Sequence, residues 1–316
     1  MKPLVIITDA TDLDPSPAIA ALETAGCAVR VLDLVSHPVV PDDARGAVAA
    51  IVGYARIDAE VLAQLPDLRV LATTSTGTDM IDADSAHARG IEVIGLVDVA
   101  TVEVATHALM LMLAALRGLP ASQSAVAAGH WSEAVAFVPP AAEELTLGLL
   151  GYGRIARAVA ERAQPLFAGI IAHDPYVEVS GLAQAVDLDT LFAASDIVSL
   201  HVPLTPDNAG LVSAERIARM RRGAVLVNVS RGELVKEDAI VAALDEGMLS
   251  AYAADVLAGE PPQEDNPLRR HPRAIVTPHV AYRSNRSMER YVLDPAASVL
   301  DRIGMPSATY PEEITA

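Results

Sequence analysis

The sequence predicts an α/β protein of two doubly wound parallel-sheet units with a cleft between them, and three observations carry that expectation. Short apolar runs alternate with amphipathic stretches along both halves of the chain, the rhythm of parallel strands joined by crossover helices. One such run, Thr146-Leu147-Gly148-Leu149-Leu150, passes directly into Gly151-Tyr152-Gly153-Arg154-Ile155-Ala156, which reads as strand, glycine turn and helix start in succession. At 316 residues, the chain is also long for a single hydrophobic core, which favours two domains.

In the first half, strands are expected at 4–7, 29–34, 51–54, 68–73 and 91–96, with helices at 17–25, from Asp42, at 58–65 and at 82–89. The segment Thr74-Ser75-Thr76-Gly77-Thr78-Asp79 interrupts this rhythm with small polar residues directly after a strand. Such loops lie at the carboxyl edge of an open sheet, where ligands bind. A long helix over 101–118 follows, apolar on nearly every face, so it is expected to be buried between domains and between subunits. Residues 129–144, with the sole tryptophan Trp131, read as an irregular loop.

The second half opens with the strand before Gly151. A helix over 155–167 and a strand at 170–173 come next, ending in Asp174. Helices at 188–194, 213–219 and 237–246 then alternate with strands at 197–202, 224–229, 251–254 and 274–277, and a helix over 285–303 crosses back to the first unit. The expected boundaries are thus an outer domain of 1–98 plus 283–316 and an inserted domain of 99–282.

The Gly151 corner has the shape of a Rossmann-like dinucleotide site. Gly151 supplies the tight turn, Gly153 lets backbone approach a pyrophosphate, and Ala156 packs the helix on the sheet. The N–H groups at the helix start then face phosphate. Asp174 stands where a strand end offers a carboxylate to a ribose 2′-hydroxyl; read alone, it is a turn former with Pro175. The order strand, turn, helix, strand, acid points to NAD as cofactor.

Composition narrows the function classes. Against 41 acidic residues stand 23 basic ones, a net charge of −18, and the only lysines are Lys2 and Lys236. A nucleic acid or an anionic membrane is therefore not an expected partner, and salt adaptation is an open explanation of the acidity. Cys27 is the only cysteine, so there is no internal disulfide, no zinc-type cluster is expected, and a reducing cytoplasm fits. No apolar helix has the roughly 20 residues that a membrane span needs.

Three ionisable residues follow strands of the second half: Arg231 after Val227-Asn228-Val229-Ser230, Glu260 in Gly259-Glu260-Pro261-Pro262, and His279 in Thr277-Pro278-His279-Val280-Ala281. Taken singly, each reads as a surface arginine, a solvated acid or a structural histidine. Together they share one sheet edge. A charged imidazole donates a proton near neutral pH, a carboxylate beside it keeps it charged, and a guanidinium offers a planar fork to a carboxylate.

These residues resemble a family, the D-isomer-specific 2-hydroxyacid dehydrogenases. The resemblance rests on Ser75 to Asp79, Glu103-Val104-Ala105 with His107, Leu147 to Ala156, Asp196 to Thr205, Asn228 to Gly232, Ala254-Asp255-Val256, Gly259 to Pro262 and Thr277 to Ala281, in the family's order. It implies an oxidoreductase moving hydride between NAD(H) and a 2-oxo acid or D-2-hydroxy acid, with Arg231 as substrate clamp, His279 as acid/base and Glu260 as its partner. The implied cofactor-binding residues are Thr101, Gly151, Tyr152, Gly153, Arg154, Ile155, Asp174, His201, Val202, Pro203, Val229, Ser230 and Asp255. Ser75, Thr76, Gly77 and Tyr282 are the implied substrate contacts, no metal is implied, and a homodimer is expected.

The chain departs from the pattern at Thr106, where the family commonly has Glu, and at Ala156 in place of a third glycine. The aromatic Tyr282 resembles the D-lactate dehydrogenase and C-terminal-binding-protein branches more than the glyoxylate reductases. Arg283 is unusual there; it either adds positive charge near the substrate or points to solvent. A rival reading, from the co-repressor relatives, is a dinucleotide-sensing binding protein with little turnover.

Overall fold

The computed structural model describes residues 2–135 and 137–306 and divides into two compact units, Met1–Val99 with Arg283–Ala316, and Ala100–Tyr282. Of the C-terminal segment expected in the first unit, 307–316 lie outside the described residues.

The first unit begins with β1 (Leu4–Ile7), α1 (Ser16–Thr24), β2 (Ala28–Val31) and β3 (Ala47–Val52). It continues through α2 (Ala59–Ala63), β4 (Val70–Thr73), α3 (Ala83–Ala88) and β5 (Glu92–Ile94). The strands form one parallel sheet in the order β2-β1-β3-β4-β5. Both faces are covered, as a parallel sheet requires. Ile6, Leu62, Leu65 and Leu71 are buried on one side, and Leu22, Val299 and Leu300 with Val5 and Ile7 on the other. Helices α2 and α3 start where Asp58 and Asp82 accept hydrogen bonds from first-turn amides, the usual role of an N-cap carboxylate.

In the second unit come α4 (Thr101–Leu116), α5 (Leu119–Ala127), β6 (Thr146–Leu150), α6 (Arg154–Ala163), β7 (Gly169–His173) and β8 (Gln184–Ala185). After these follow α7 (Leu188–Ala194), β9 (Ile197–Leu200), α8 (Ala214–Ile217), β10 (Ala224–Asn228), α9 (Glu237–Asp245), β11 (Leu249–Ala254) and β12 (Ala274–Val276). Their parallel sheet has the order β12-β11-β10-β9-β6-β7-β8, reversing direction beside β6. At such a switch point the loops after neighbouring strands part and leave room for a ligand. Beyond it, α10 (Asn285–Arg302) belongs to the first unit and packs on α1, β3 and β4. A reciprocal cap between Ser284 and Ser287 starts this helix.

Several elements differ from expectation for local reasons. Strand β3 begins at Ala47, because Ala47, Ala49 and Ala50 carry little strand signal yet are buried. The helix expected from Asp42 is a single 3₁₀ turn over Asp42–Ala44. Helix α6 ends at Ala163 rather than at 167, since Pro165 restricts the residue before it. The short β8 and all of α5 had no recognised signal.

Helix α4 is not buried all round within the chain. Ala105, Ala108, Leu111, Met112, Ala115 and Leu116 face the core, whereas Val102 and Met110 remain 50% and 46% exposed. A helix rich in apolar residues on every side satisfies one side of its own unit and leaves the other uncovered. Among the described residues, no single helix is long and apolar enough to cross a membrane.

Candidate active site

At the β6–α6 corner, Gly151 has φ +90° and a Cβ there would meet the His201 carbonyl oxygen at 2.6 Å. Only glycine takes this turn without strain. Gly153 is the N-cap of α6, and a Cβ on it would meet nothing within 4 Å. Open space thus lies beside a helix start with no acid in its first turn, a surface that fits a pyrophosphate.

Asp174, one residue past β7, does more than face outward. Its Oδ2 accepts from the Tyr152 N–H at 2.8 Å, and its Oδ1 from Tyr176 and Val177 N–H at 2.9 Å each. Burial works against its ionisation, but these three amides outweigh it and hold the carboxyl below its ordinary range. The acid therefore ties its own turn to the glycine turn. His201, after β9, is half-buried with its Nδ1 shielded from solvent, and desolvation of the ring pushes it down to about 4, so its imidazole is neutral near pH 7. Its Nε2 lies 2.9 Å from Ser199 Oγ. Val202 and Pro203 follow it in the same loop, and Thr101 opens α4.

Beyond β10, Asn228 builds the turn that presents Arg231. Fully buried, its amide donates to the Arg231 carbonyl at 2.8 Å and accepts from the Ser230 N–H at 3.0 Å. Ser230 Oγ donates to the Leu200 carbonyl, joining this turn to the end of β9. Val229 packs half-buried against the core. The Arg231 guanidinium donates to the Ser230 carbonyl at 2.9 Å.

The structure brings His279 and Glu260 together, with Nδ1 2.6 Å from Oε2. Glu260 is half of a braced loop. It accepts the Leu257 N–H on its other oxygen, while Glu237 on α9 accepts from Ala258 N–H and Asn266 Nδ2. The Glu260 hydrogen bond raises the His279 pKa against the opposing effect of burial, with a small contrary push from Arg231. For Glu260, burial favours the neutral acid but the imidazole wins and holds it below its usual range. Because Nδ1 is taken by the carboxylate, Nε2 is the ring atom left to exchange a proton. Tyr282 lies edge-on to this ring with centroids 6.3 Å apart.

His279 has φ +52°, uncommon for a residue with a Cβ. Asp255, 1% exposed, holds it there. Its carboxylate accepts from Val280 N–H at 3.0 Å, Ala281 N–H at 2.8 Å and Thr277 Oγ1 at 2.5 Å, and its carbonyl accepts the His279 N–H at 2.8 Å. Sequence reasoning named Asp255 for cofactor contact and did not see this clamp; nor did it see Asn228, Glu237 or Thr277 as organisers.

Ser75, Thr76 and Gly77 lie in the first unit, directly after β4 and before α3. Ser75 Oγ donates to the Gly77 carbonyl at 2.6 Å, and Thr73 Oγ1 to the Ser75 carbonyl at 2.6 Å. No cluster of three or more His, Cys, Asp or Glu able to hold a metal occurs among the described residues.

Comparison with known proteins bears directly on this arrangement. The family model described as the NAD-binding domain of D-isomer specific 2-hydroxyacid dehydrogenases matches residues 109–281. The glycerate dehydrogenase of Methylorubrum extorquens is 38% identical over 253 residues, 78% of this chain and 79% of that one. The D-3-phosphoglycerate dehydrogenase of Archaeoglobus fulgidus is 36% identical over 72% of this chain, which spans only 44% of that longer protein. Among solved structures, the D-lactate dehydrogenase of Aquifex aeolicus, complexed with NAD and lactic acid, superposes with a TM-score of 0.85 at 25% identity, covering 97% of this chain and 100% of that one.

Proposed function

This chain belongs to the D-isomer-specific 2-hydroxyacid dehydrogenase family, with NAD as its cofactor and hydride transfer between a 2-hydroxy acid and a 2-oxo acid as its reaction, and on that premise we propose how its residues divide the work. The observation that carries the proposal is the His279–Glu260 pair, 2.6 Å apart, on the sheet edge that also presents Arg231. NADH supplies the hydride. In reduction, negative charge grows on the carbonyl oxygen, and His279 Nε2 delivers the proton that quenches it. Glu260 holds the ring by Nδ1 and keeps it charged until that moment. Arg231 takes the substrate carboxylate with its planar fork and opposes the charge on the carbonyl oxygen.

The cofactor contacts assigned to this chain are the Gly151–Ile155 corner, Asp174, the loop of His201, Val202 and Pro203, the turn of Val229 and Ser230, and Thr101. The amides of Thr76 and Gly77, with Ser75 and Tyr282, are assigned to substrate. A carboxylate at 174 accepts from a 2′-hydroxyl and repels a 2′-phosphate, so NADH is preferred over NADPH; equal rates with both would sink this assignment. Replacing Asp174 by Ala narrows the gap, and it also weakens NADH binding, because the Tyr152 amide loses its acceptor.

A homodimer is proposed on the uncovered apolar side chains clustered in the α4–α5 region and the loop beyond it: Val102, Met110, Leu119, Val126 and Trp131, each between 46% and 70% exposed. Sedimentation as a 33.1 kDa species at micromolar concentration would refute it. A cytoplasmic setting without nucleic-acid or membrane partners is proposed on the free, buried Cys27 and the net charge of −18. The substrate is settled by following NADH oxidation with glyoxylate, pyruvate, hydroxypyruvate and phenylpyruvate. Turnover of none of them would favour the dinucleotide-sensing alternative, which no relative named above supports.

A further inference from the structure

The turn that carries His279 is met by a second histidine, on a different element and 172 positions earlier in the chain. His107, on α4 and 16% exposed, has its Nε2 2.9 Å from Thr277 Oγ1 and 3.5 Å from Asp255 Oδ1. All three residues belong to the second unit. The direction of each bond follows from the donor inventory. Thr277 Oγ1 has one proton, and it donates that proton to Asp255 Oδ1. A hydroxyl that has spent its proton can only accept from a second neighbour. His107 Nε2 therefore carries a hydrogen and donates it to Thr277.

We propose that His107 is a positioning residue for the reaction, holding the Nε2–H tautomer so that a directed chain His107 → Thr277 → Asp255 fixes the turn that presents His279. The proposal rests on the acid/base reading of His279 given above. Its physical basis is the burial of the Asp255 carboxylate, which needs every acceptor position met by a donor. Amides of Val280 and Ala281 meet two, and the Thr277 hydroxyl meets another. The same Thr277 also receives the His279 N–H on its carbonyl at 3.0 Å. Thr277 thus grips the turn through both its main chain and its side chain, and His107 fixes the side chain. Without that donor, Thr277 Oγ1 keeps an unmet acceptor and the turn loses one restraint. The ring it presents, held at positive φ, then drifts from its working position, and a displacement of about 1 Å costs up to about 100-fold in rate.

Two sets of measurements test this, and they fail separately from the functional reading. The first needs no turnover. Long-range ¹H–¹⁵N correlation on histidine-labelled protein, with His107 assigned by loss of its signals in His107→Gln, reads which ring nitrogen bears hydrogen. Nε2–H is expected; an Nδ1–H tautomer overturns the proposal. The second compares conservative and disruptive variants. His107→Leu and Thr277→Val are expected to lower kcat by about 10- to 100-fold with the NADH dissociation constant held. His107→Gln, whose Nε2 still donates, and Thr277→Ser are expected to recover most of that loss. Equal kcat for the Leu and Gln variants, or for Val and Ser, overturns it. If His107→Leu does not fold, the Thr277 pair and the tautomer decide. If the parent protein reduces none of the 2-oxo acids, the acid/base reading falls, while the tautomer still reports on the chain of donors.

Discussion

The two units solve one structural problem with the same device and put it to different use. In the first unit, Asp9 follows β1, is 8% exposed, and accepts from Thr8 Oγ1 and the Tyr54 and Ala55 amides. It thereby ties the end of one strand to the loop after its neighbour β3. In the second, Asp255 follows β11 and ties that strand to the loop after its neighbour β12. Each is a buried carboxylate fed by two amides and by threonine hydroxyls, those of Thr8 and Thr11 for Asp9 and that of Thr277 for Asp255. The loop held by Asp255 carries an imidazole with a carboxylate partner; the loop held by Asp9 carries Tyr54, whose hydroxyl bonds to Asp12. The difference teaches that the brace belongs to the fold, and the chemistry to what the braced loop displays.

The strongest way to sharpen this contrast is to remove what is displayed. His279→Ala is expected to lower kcat by about 10²- to 10⁴-fold, the scale of a lost general acid, with NADH affinity little changed in a fluorescence titration. A variant as fast as the parent would return His279 to a structural role and dissolve the contrast.

Removing the braces themselves separates the units next. Asp9→Ala leaves two amides and two hydroxyls without this acceptor and is expected to cost about 1–3 kcal/mol in a urea melt, with kcat close to that of the parent. Asp255→Ala is expected to lose stability on a similar scale and, in addition, most of kcat. If both variants lost the same share of kcat, the two braces would not differ in the way described.

The smallest effect tests the displayed pair from the other side. Glu260 raises the His279 pKa, chiefly through its hydrogen bond. Without the carboxylate the imidazolium loses its proton at lower pH. Reduction, which needs the charged ring, therefore fails earlier as pH rises: in Glu260→Gln the alkaline limb of the reduction profile moves to lower pH. The oxidation profile, which needs the neutral ring, shifts its acid limb the same way. A limb that stays in place would remove Glu260 from the pair.

Much of this was legible in the residues because it is written locally. The glycine turn at 151, the acid at the end of β7, and Arg231, Glu260 and His279 each sit a fixed short distance past an apolar run, and parallel strands advertise themselves by such runs. The braces were not legible. Asp9 meets the Tyr54 and Ala55 amides 45 and 46 positions away, His107 meets Thr277 across 170, and pairing at that range leaves no spacing to read. Helix α5 escaped because none of its residues is buried, so it lacks the apolar stripe by which helices are recognised. Which side of α4 faces outward was not legible for the opposite reason: composition reports how apolar a helix is, not which side its own unit covers.

The left-handed backbone at His279 has a bearing on how this protein would respond to selection. Glycine or asparagine would rest at φ +52° with less penalty than histidine, by about 1 kcal/mol. On the acid/base reading, a laboratory lineage chosen only for heat resistance would discard that ring wherever the backbone saving outweighed the lost Glu260 hydrogen bond, and its survivors would be sturdier and inert. At this single position durability and turnover are bred in opposite directions.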